Sequence, residues 1–325
     1  MANSTNVAER GRTIIAEVER VIVGKHETVQ LALIGLLCGG HILVEDIPGV
    51  GKTMLAKSFA RALAGNYRRV QFTPDLLPAD ITGVSIFNQK SGEFEFRPGP
   101  VFANVLLADE INRATPKTQS SLLECMEEFQ VTVDGVTYPL ERPFFVIATE
   151  NPIEFHGTYP LPEAQLDRFL MRLNIGYPNP SEEVTILSRQ QHQHPIFSLK
   201  AVVSAEEVGL LQQQVREVFV EESLKQYIVE IVNATRHHPG ISLGGSPRAS
   251  IGLMRTSQAK AALESREFVL PDDVKYVAAA VLNHRIILTA ESRARQLTAS
   301  QVVSQILSTV PVPVLEPAGT SQKHT

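Results

Sequence analysis

The chain has 325 residues, about two domains' length, and 43% are hydrophobic against 20% charged, which supplies a sizeable core and excludes wholesale disorder. Lys and Arg total 30 against 35 Asp and Glu, a net charge of −5 that disfavours a general nucleic-acid-coating protein. Only Cys38 and Cys125 are cysteines, neither at ligand spacing, and the longest apolar run, 31–38, is broken by Gly35, so disulfide-framework, zinc and membrane-spanning classes drop out.

At the N-terminus, Met1-Ala2-Asn3-Ser4-Thr5-Asn6 has no basic stretch leading into an apolar one, so a cytoplasmic protein without a signal peptide is expected. The first 25 residues read as an amphipathic helix, with Ile14, Ile15, Val18, Val21 and Ile22 at helical spacing. A second helix over 27–37 stops at Gly39-Gly40. The period then changes. Residues 41–45 form a short apolar run before Pro48-Gly49, which reads as a buried strand, and similar runs follow at 69–73, 105–109, 144–149 and 170–175. Helical stretches at 52–64, 116–129 and 164–168 lie between them, and the alternation predicts an α/β fold with a mostly parallel sheet covered on both faces. Residues 83–102 break the alternation and read as a loop with short strands, while 131–138 alternates around Asp134-Gly135 as a hairpin does. After Tyr177-Pro178-Asn179-Pro180 the strand signal ends, and helices are expected at 182–191, 205–218, 222–237, 247–263, 271–282 and 299–307. The expected organisation is an α/β core over 1–178, an all-α domain over 179–308 and a disordered tail over 309–325.

The run Glu45-Asp46-Ile47-Pro48-Gly49-Val50-Gly51-Lys52-Thr53 follows an expected strand and opens an expected helix. Its glycines let the backbone wrap an anion with N–H groups inward, and the helix start adds its positive dipole end. Lys52 can reach the β- and γ-phosphates of a nucleotide such as ATP, and the Thr53 hydroxyl can hold Mg²⁺. Pro48, Gly49, Val50, Gly51, Lys52, Thr53 and Met54 are therefore the nucleotide-binding candidates. The strict phosphate-loop pattern has Gly where this chain has Asp46, so the Asp46 carboxylate is expected to point away from the phosphates.

Val105-Leu106-Leu107-Ala108-Asp109-Glu110 is an apolar strand ending in two acids. Downstream of a phosphate loop, Asp109 is expected to complete the Mg²⁺ shell, and Glu110 to deprotonate the attacking water. Taken alone, the pair reads equally well as helix-start acids at a strand-to-helix junction. A further buried strand, Phe144 to Thr149, leads into Glu150-Asn151, where Asn151 could position water or the γ-phosphate. On local grounds a turn-forming Asn before Pro152 explains it equally well.

Together these segments resemble the AAA+ ATPases and, within them, the MoxR family. The resemblance covers nearly the whole chain. It is carried by the phosphate loop, by Pro98-Gly99-Pro100-Val101-Phe102-Ala103-Asn104, by Leu107-Ala108-Asp109-Glu110-Ile111-Asn112-Arg113-Ala114 and by Ala148-Thr149-Glu150-Asn151-Pro152. Leu161-Pro162-Glu163-Ala164-Gln165-Leu166-Asp167-Arg168-Phe169 and Gly245-Ser246-Pro247-Arg248-Ala249 complete it. The resemblance implies a sheet of order 5-1-4-3-2 and a C-terminal helical lid. Asn151 becomes sensor 1, residues 83–102 the helix-2 insertion and 131–138 the pre-sensor hairpin. It further implies that Arg168 is a finger reaching the ATP of a neighbouring subunit, that Arg248 is sensor 2, and that Val23-Gly24 and the lid sandwich the adenine. Arg113 is either an inter-subunit contact or a helix-start charge.

By that resemblance the chain is a Mg²⁺-dependent ATPase acting as a chaperone-like remodeller in a homo-oligomeric, hexameric ring, with von Willebrand factor A-domain proteins as partners in maturation or metal insertion. Two rival readings remain: a nucleic-acid motor, disfavoured by the charge balance, and a nucleotide-gated scaffold or magnesium-chelatase-like subunit, disfavoured by Glu110. His192 with His194, and His237 with His238, have spacings unsuited to metal on one helical face.

Overall fold

The runs expected as strands pair into one sheet. The computed structural model describes residues 2–151 and 157–313. Its first part runs α1 (Ala2–Glu19), α2 (His26–Leu37), β1 (Ile42–Glu45), α3 (Lys52–Ala62), β2 (Tyr67–Gln71), α4 (Pro78–Thr82), β3 (Gly83–Asn88), β4 (Glu93–Pro98) and β5 (Val105–Asp109). It continues with α5 (Pro116–Glu128), β6 (Gln130–Val133), β7 (Val136–Pro139), β8 (Phe145–Glu150), α6 (Glu163–Leu166) and β9 (Met171–Leu173). The C-terminal part adds α7 (Pro180–Gln190), α8 (Ala205–Arg216), α9 (Glu222–His237), β10 (Ile241–Leu243), α10 (Pro247–Leu263), α11 (Pro271–Leu282), β11 (Ile287–Leu288), α12 (Ala290–Ala294) and α13 (Ala299–Thr309).

The five-stranded sheet has the order β2-β5-β8-β1-β9, and every pair in it is parallel. Counting only these strands in chain order gives 5-1-4-3-2, the order implied by the family resemblance. The continuous apolar runs follow from two-sided burial. In β5, Val105 and Leu107 face one core cluster while Leu106 and Ala108 face the other; β8 splits Phe145 and Ile147 from Val146 and Ala148 in the same way. Leu122, Leu123 and Met126 of α5 cover one face, and α2 and α3 cover the other. Buried His41 ties the layers: its Nδ1 accepts from the Val146 N–H, and its Nε2–H faces the Met126 carbonyl at 3.1 Å. Burial pushes its pKa down to about 4, so the ring is neutral at pH 7.

The C-terminal part is helical, with one addition to the all-α expectation: β10 and β11 pair as a small antiparallel ribbon. Its apolar side chains join those of α1, α2 and α3 in one cluster that holds Val7, Ile14, Val18, Leu253, Ala262, Val281 and Val302. Gly11 permits the contact, because a Cβ there would lie 2.2 Å from Leu263 Cδ2 of α10.

Other elements differ from expectation in bounds. The first helix ends at Glu19, and Gly24 takes φ +72 in the turn before α2. Strand β2 begins at Tyr67, two residues early, because it is an edge strand in which Val70 alone is buried and the apolar signal is thin. Residues 83–102 contain a regular hairpin, β3 with β4, in register from Gly83↔Pro98 to Asn88↔Glu93. The hairpin expected at 131–138 is β6 with β7, turning through Asp134 and Gly135 at φ +50 and +80. Stacking of Phe96 on Tyr138, ring centroids 4.1 Å apart, joins the two hairpins. Residues 314–325 of the expected tail lie outside the described residues.

Candidate active site at the carboxyl ends of the sheet

The glycine loop connects β1 to α3. Gly49 and Gly51 take φ +87 and +99, values that cost a side-chain-bearing residue strain, so the loop needs glycine at both. The first turn of α3, whose N–H groups lack intrahelical partners, borders a cavity of about 350 Å³ together with the loop. Pro48, Gly49, Gly51, Lys52, Thr53 and Met54 line it on one side; Asp109, Glu110, Asn151 and Arg69 line the other. Strands β1, β5 and β8 thus deliver their expected site residues to one place, at the edge where such sheets bind ligands.

A second cavity of about 200 Å³ adjoins the first, sharing Gly49, Gly51 and Met54. Val23, Val50, Gly176, Pro178 and Ile186 also line it, an apolar slot between the turn after α1, the loop and α7. Gly24 does not line it. A Cβ at Gly24 would sit 2.1 Å from the Glu182 side chain, so this glycine allows α7 to close over the slot.

Lys52 is buried, and its Nζ donates to the Asp46 carbonyl at 2.7 Å. Burial lowers its pKa; Asp109, Asp46 and Glu110 oppose the shift. The Asp46 carboxylate faces away from the loop interior. Oδ2 accepts from the backbone N–H groups of Ile175 and Gly176, at 2.6 and 2.7 Å, and Oδ1 accepts from that of Ile47 at 2.8 Å. The residue that departs from the strict loop pattern therefore fastens the loop to the connection between β9 and α7.

The two acids ending β5 are held by different neighbours. Asp109 accepts from the Thr149 hydroxyl on one oxygen, at 2.7 Å, and from Arg69 Nε and Nη2 on the other, at 3.1 and 2.6 Å. Thr149 in turn accepts the Glu110 N–H at 2.9 Å. Glu110 adopts left-handed backbone angles, φ +56, which aim its side chain away from the strand at a cost in strain. Its Oε2 accepts from Gln71 Nε2 at 2.7 Å and from Arg113 Nη1 at 2.9 Å. Asn151 is buried at the end of β8.

Arg69, Gln71 and Thr149 were not candidates from sequence. A signal for the first two exists: Arg69 and Gln71 share one face of β2, and in the sheet order Gln71 lies opposite Asp109. Recognising it needs the register of β2 against β5, since both residues already fall in the run expected as a strand. Arg113 Nη1 forms an ion pair with Glu110 Oε2 at 2.9 Å.

Two further candidates lie elsewhere. Arg168 follows α6, Arg248 opens α10, and neither lines the two cavities. Both pair with one carboxylate, Glu127 at the end of α5: Arg168 Nε at 3.2 Å on Oε2, and Arg248 Nη2 on Oε1. Behind Asn151, Glu150 lies in register with Glu45, whose Oε2 pairs with Arg172 at 2.9 Å. Burial, reinforced by Glu45 and opposed by Arg172, raises the Glu150 pKa to about 7.

Residues 41–171 match the model of the ATPase family associated with various cellular activities, and residues 233–306 match the AAA lid domain. The chain is 53% identical to the Bacillus subtilis protein YeaC, itself uncharacterized, over 92% of this chain and 94% of that one. It is 44% identical to chaperone MoxR1 of Mycobacterium tuberculosis, over 92% and 81% of the two chains, and 33% identical to the MoxR protein of Paracoccus denitrificans, over 96% and 99%. A crystal structure of a candidate ATPase from Cytophaga hutchinsonii superposes with a TM-score of 0.90 at 42% identity, covering 96% of this chain and 97% of that one.

Proposed function

The chain belongs to the MoxR family of AAA+ ATPases, and on that premise we propose that it hydrolyses ATP between the glycine loop and the acidic strand ends, as a protomer of a hexameric ring. The observation carrying this reading is the convergence of Lys52, Thr53, Asp109, Glu110 and Asn151 on one cavity, next to an apolar slot of the size a base requires.

The adenine packs against Val23, Val50 and Met54. The loop amides and Lys52 take the phosphates, the ammonium exchanging the Asp46 carbonyl for phosphate oxygens. Thr53 and Asp109 offer a hydroxyl and a carboxylate in the same cavity, hard oxygen donors that suit Mg²⁺ shared with substrate phosphates. They would hold that ion, which neutralises β- and γ-phosphate charge. Glu110, steadied by Gln71 and Arg113, takes a proton from the attacking water as its oxygen bonds to the γ-phosphorus and the bond to ADP breaks. Asn151 orients the water. Arg168 of one protomer completes the neighbour's site, and Arg248 acts within its own; for either to do so, its pair with Glu127 opens. The cycle drives chaperone-like remodelling of von Willebrand factor A-domain partners, in maturation or metal insertion, in the cytoplasm.

Three variants test this. Lys52→Ala loses nucleotide binding. Glu110→Gln binds ATP and barely turns over. Arg168→Ala binds normally and turns over slowly, by about 10³–10⁵-fold; full turnover by Arg168→Ala refutes the shared site. Capture with Glu110→Gln in ATP is expected to recover a von Willebrand factor A-domain protein, and DNA-stimulated turnover would instead support the motor reading.

A further inference from the structure

Residue Arg285, in the turn after α11, is a buried cation whose partners outside the lid all lie on one short stretch of the core. Its Nε donates to Asp167 Oδ1 at 2.8 Å, its Nη1 to the Leu170 carbonyl at 2.9 Å, and its Nη2 to the Phe169 and Asp167 carbonyls at 2.6 and 3.2 Å. It also donates to the Val281 carbonyl in the last turn of α11. A guanidinium has five N–H donors in a fixed fork, and here that fork is spent on the backbone and carboxylate flanking Arg168. The same stretch receives two more ties from the lid: His284 Nε2 lies 2.9 Å from the Phe169 carbonyl, and the Ser246 hydroxyl donates to Asp167 Oδ2 at 2.9 Å. Its tie to the sheet includes Leu170 N–H to the His41 carbonyl, at 2.8 Å.

We propose that Arg285 is a positioning residue that fixes the Asp167–Leu170 stretch to the lid, so that the position of a protomer's lid sets how that protomer presents Arg168 to its neighbour. This rests on the reading of Arg168 as a shared-site arginine. The segment that leads from β9 into the lid is in turn fastened to the phosphate loop, through Asp46 and the Ile175 and Gly176 amides. Grip on the phosphates in one protomer is thereby connected, through the lid, to the arginine offered next door. Removing the fork leaves Arg168 in place chemically but its backbone less firmly held; an ångström of misplacement costs about 100-fold in rate.

The test is subunit mixing. Arg285→Met combined with Asp167→Asn avoids a stranded buried charge, and Asp167→Asn alone is a milder second variant. Each is expected to retain nucleotide affinity for its own site while kcat falls roughly 10- to 100-fold. Each is then mixed with excess Glu110→Gln, which contributes a sound Arg168 and no turnover of its own. Hydrolysis should return at the variant's intact sites, because the finger there now comes from the Glu110→Gln neighbour. A purely structural defect, or a lid effect confined to its own site, gives no recovery and overturns the proposal, as does unchanged kcat in both variants. Arg168→Ala carried through the same mixing separates the two levels. If it is slow and rescued while the Arg285 and Asp167 variants are not, only the role of Arg285 fails; if Arg168→Ala is not slow, the shared site itself fails.

Discussion

Replacing Asp46 with glycine would bring the loop into line with the strict phosphate-binding pattern, yet the expected result is a worse protein. Asp46 is buried, and its carboxylate takes three backbone N–H groups. Hydrogen bonds to a charged group contribute about 1.5–3 kcal/mol each, and two of the three donors belong to the connection between sheet and lid. Glycine also adds about 0.5–1 kcal/mol of backbone entropy, without relieving strain, since Asp46 does not occupy the left-handed region. Discounting the donors that water can reach, the loss is about 3–5 kcal/mol, which corresponds to roughly 4–7 °C in Tm for a chain of this length. Thermal and urea unfolding of Asp46→Gly, with Asp46→Asn as an intermediate that keeps one acceptor oxygen, reads it directly. ATP titration supplies the second arm. The carboxylate faces the linker amides, so deleting its charge should not tighten ATP; affinity stays level or weakens as the Lys52 anchor loosens. An Asp46→Gly protein that melts with the parent and binds ATP more tightly would refute the reasoning.

Thr149→Val removes the hydroxyl that bridges Asp109 and the Glu110 N–H, leaving both without that partner; a stability loss of about 2–4 kcal/mol and at least a 10-fold drop in kcat are expected from unfolding and turnover assays. Glu127→Gln weakens two partly exposed ion pairs, so Tm should shift by less than about 1 kcal/mol equivalent. Turnover should rise if those pairs restrain the arginines, and a fall would assign Glu127 to holding them productively. For Glu150, the folded pKa of about 7 lies above the ordinary 4.5, so the folded state binds the proton more tightly than the unfolded one. Its stabilising contribution is full below pH 4.5 and lost as pH rises through 7. Glu150→Gln should flatten that slope and gain stability relative to the parent above pH 7, by at most about 3 kcal/mol, measured as Tm against pH.

Most of the scaffold is legible because its strands are buried on both faces and so write uninterrupted apolar runs. The loop glycines, Lys52, Asp109 and Glu110 are legible because the chemistry proposed for them demands fixed residue types at fixed spacing. What lies outside those conditions is hidden. Edge strand β2 lacks two-sided burial, so its start escapes the pattern, and although Arg69 and Gln71 fall in the expected run, the pairing that sets Gln71 opposite Asp109 leaves no local signal. The β3–β4 hairpin is exposed on much of both faces and leaves no clean alternation. That Arg168 and Arg248 share Glu127 depends on three elements more than 40 residues apart in pairs, which no local signal encodes.

The contact of α1 with α10 through Gly11 has a practical corollary. Cutting the polypeptide after β9 would uncover the oily surface of its first helix, and a fragment made that way should clump instead of standing alone. Grafting a foreign C-terminal half would need a matching hollow at the Leu263 position, so chimeras among relatives should succeed only when helix α1 travels with the half it touches.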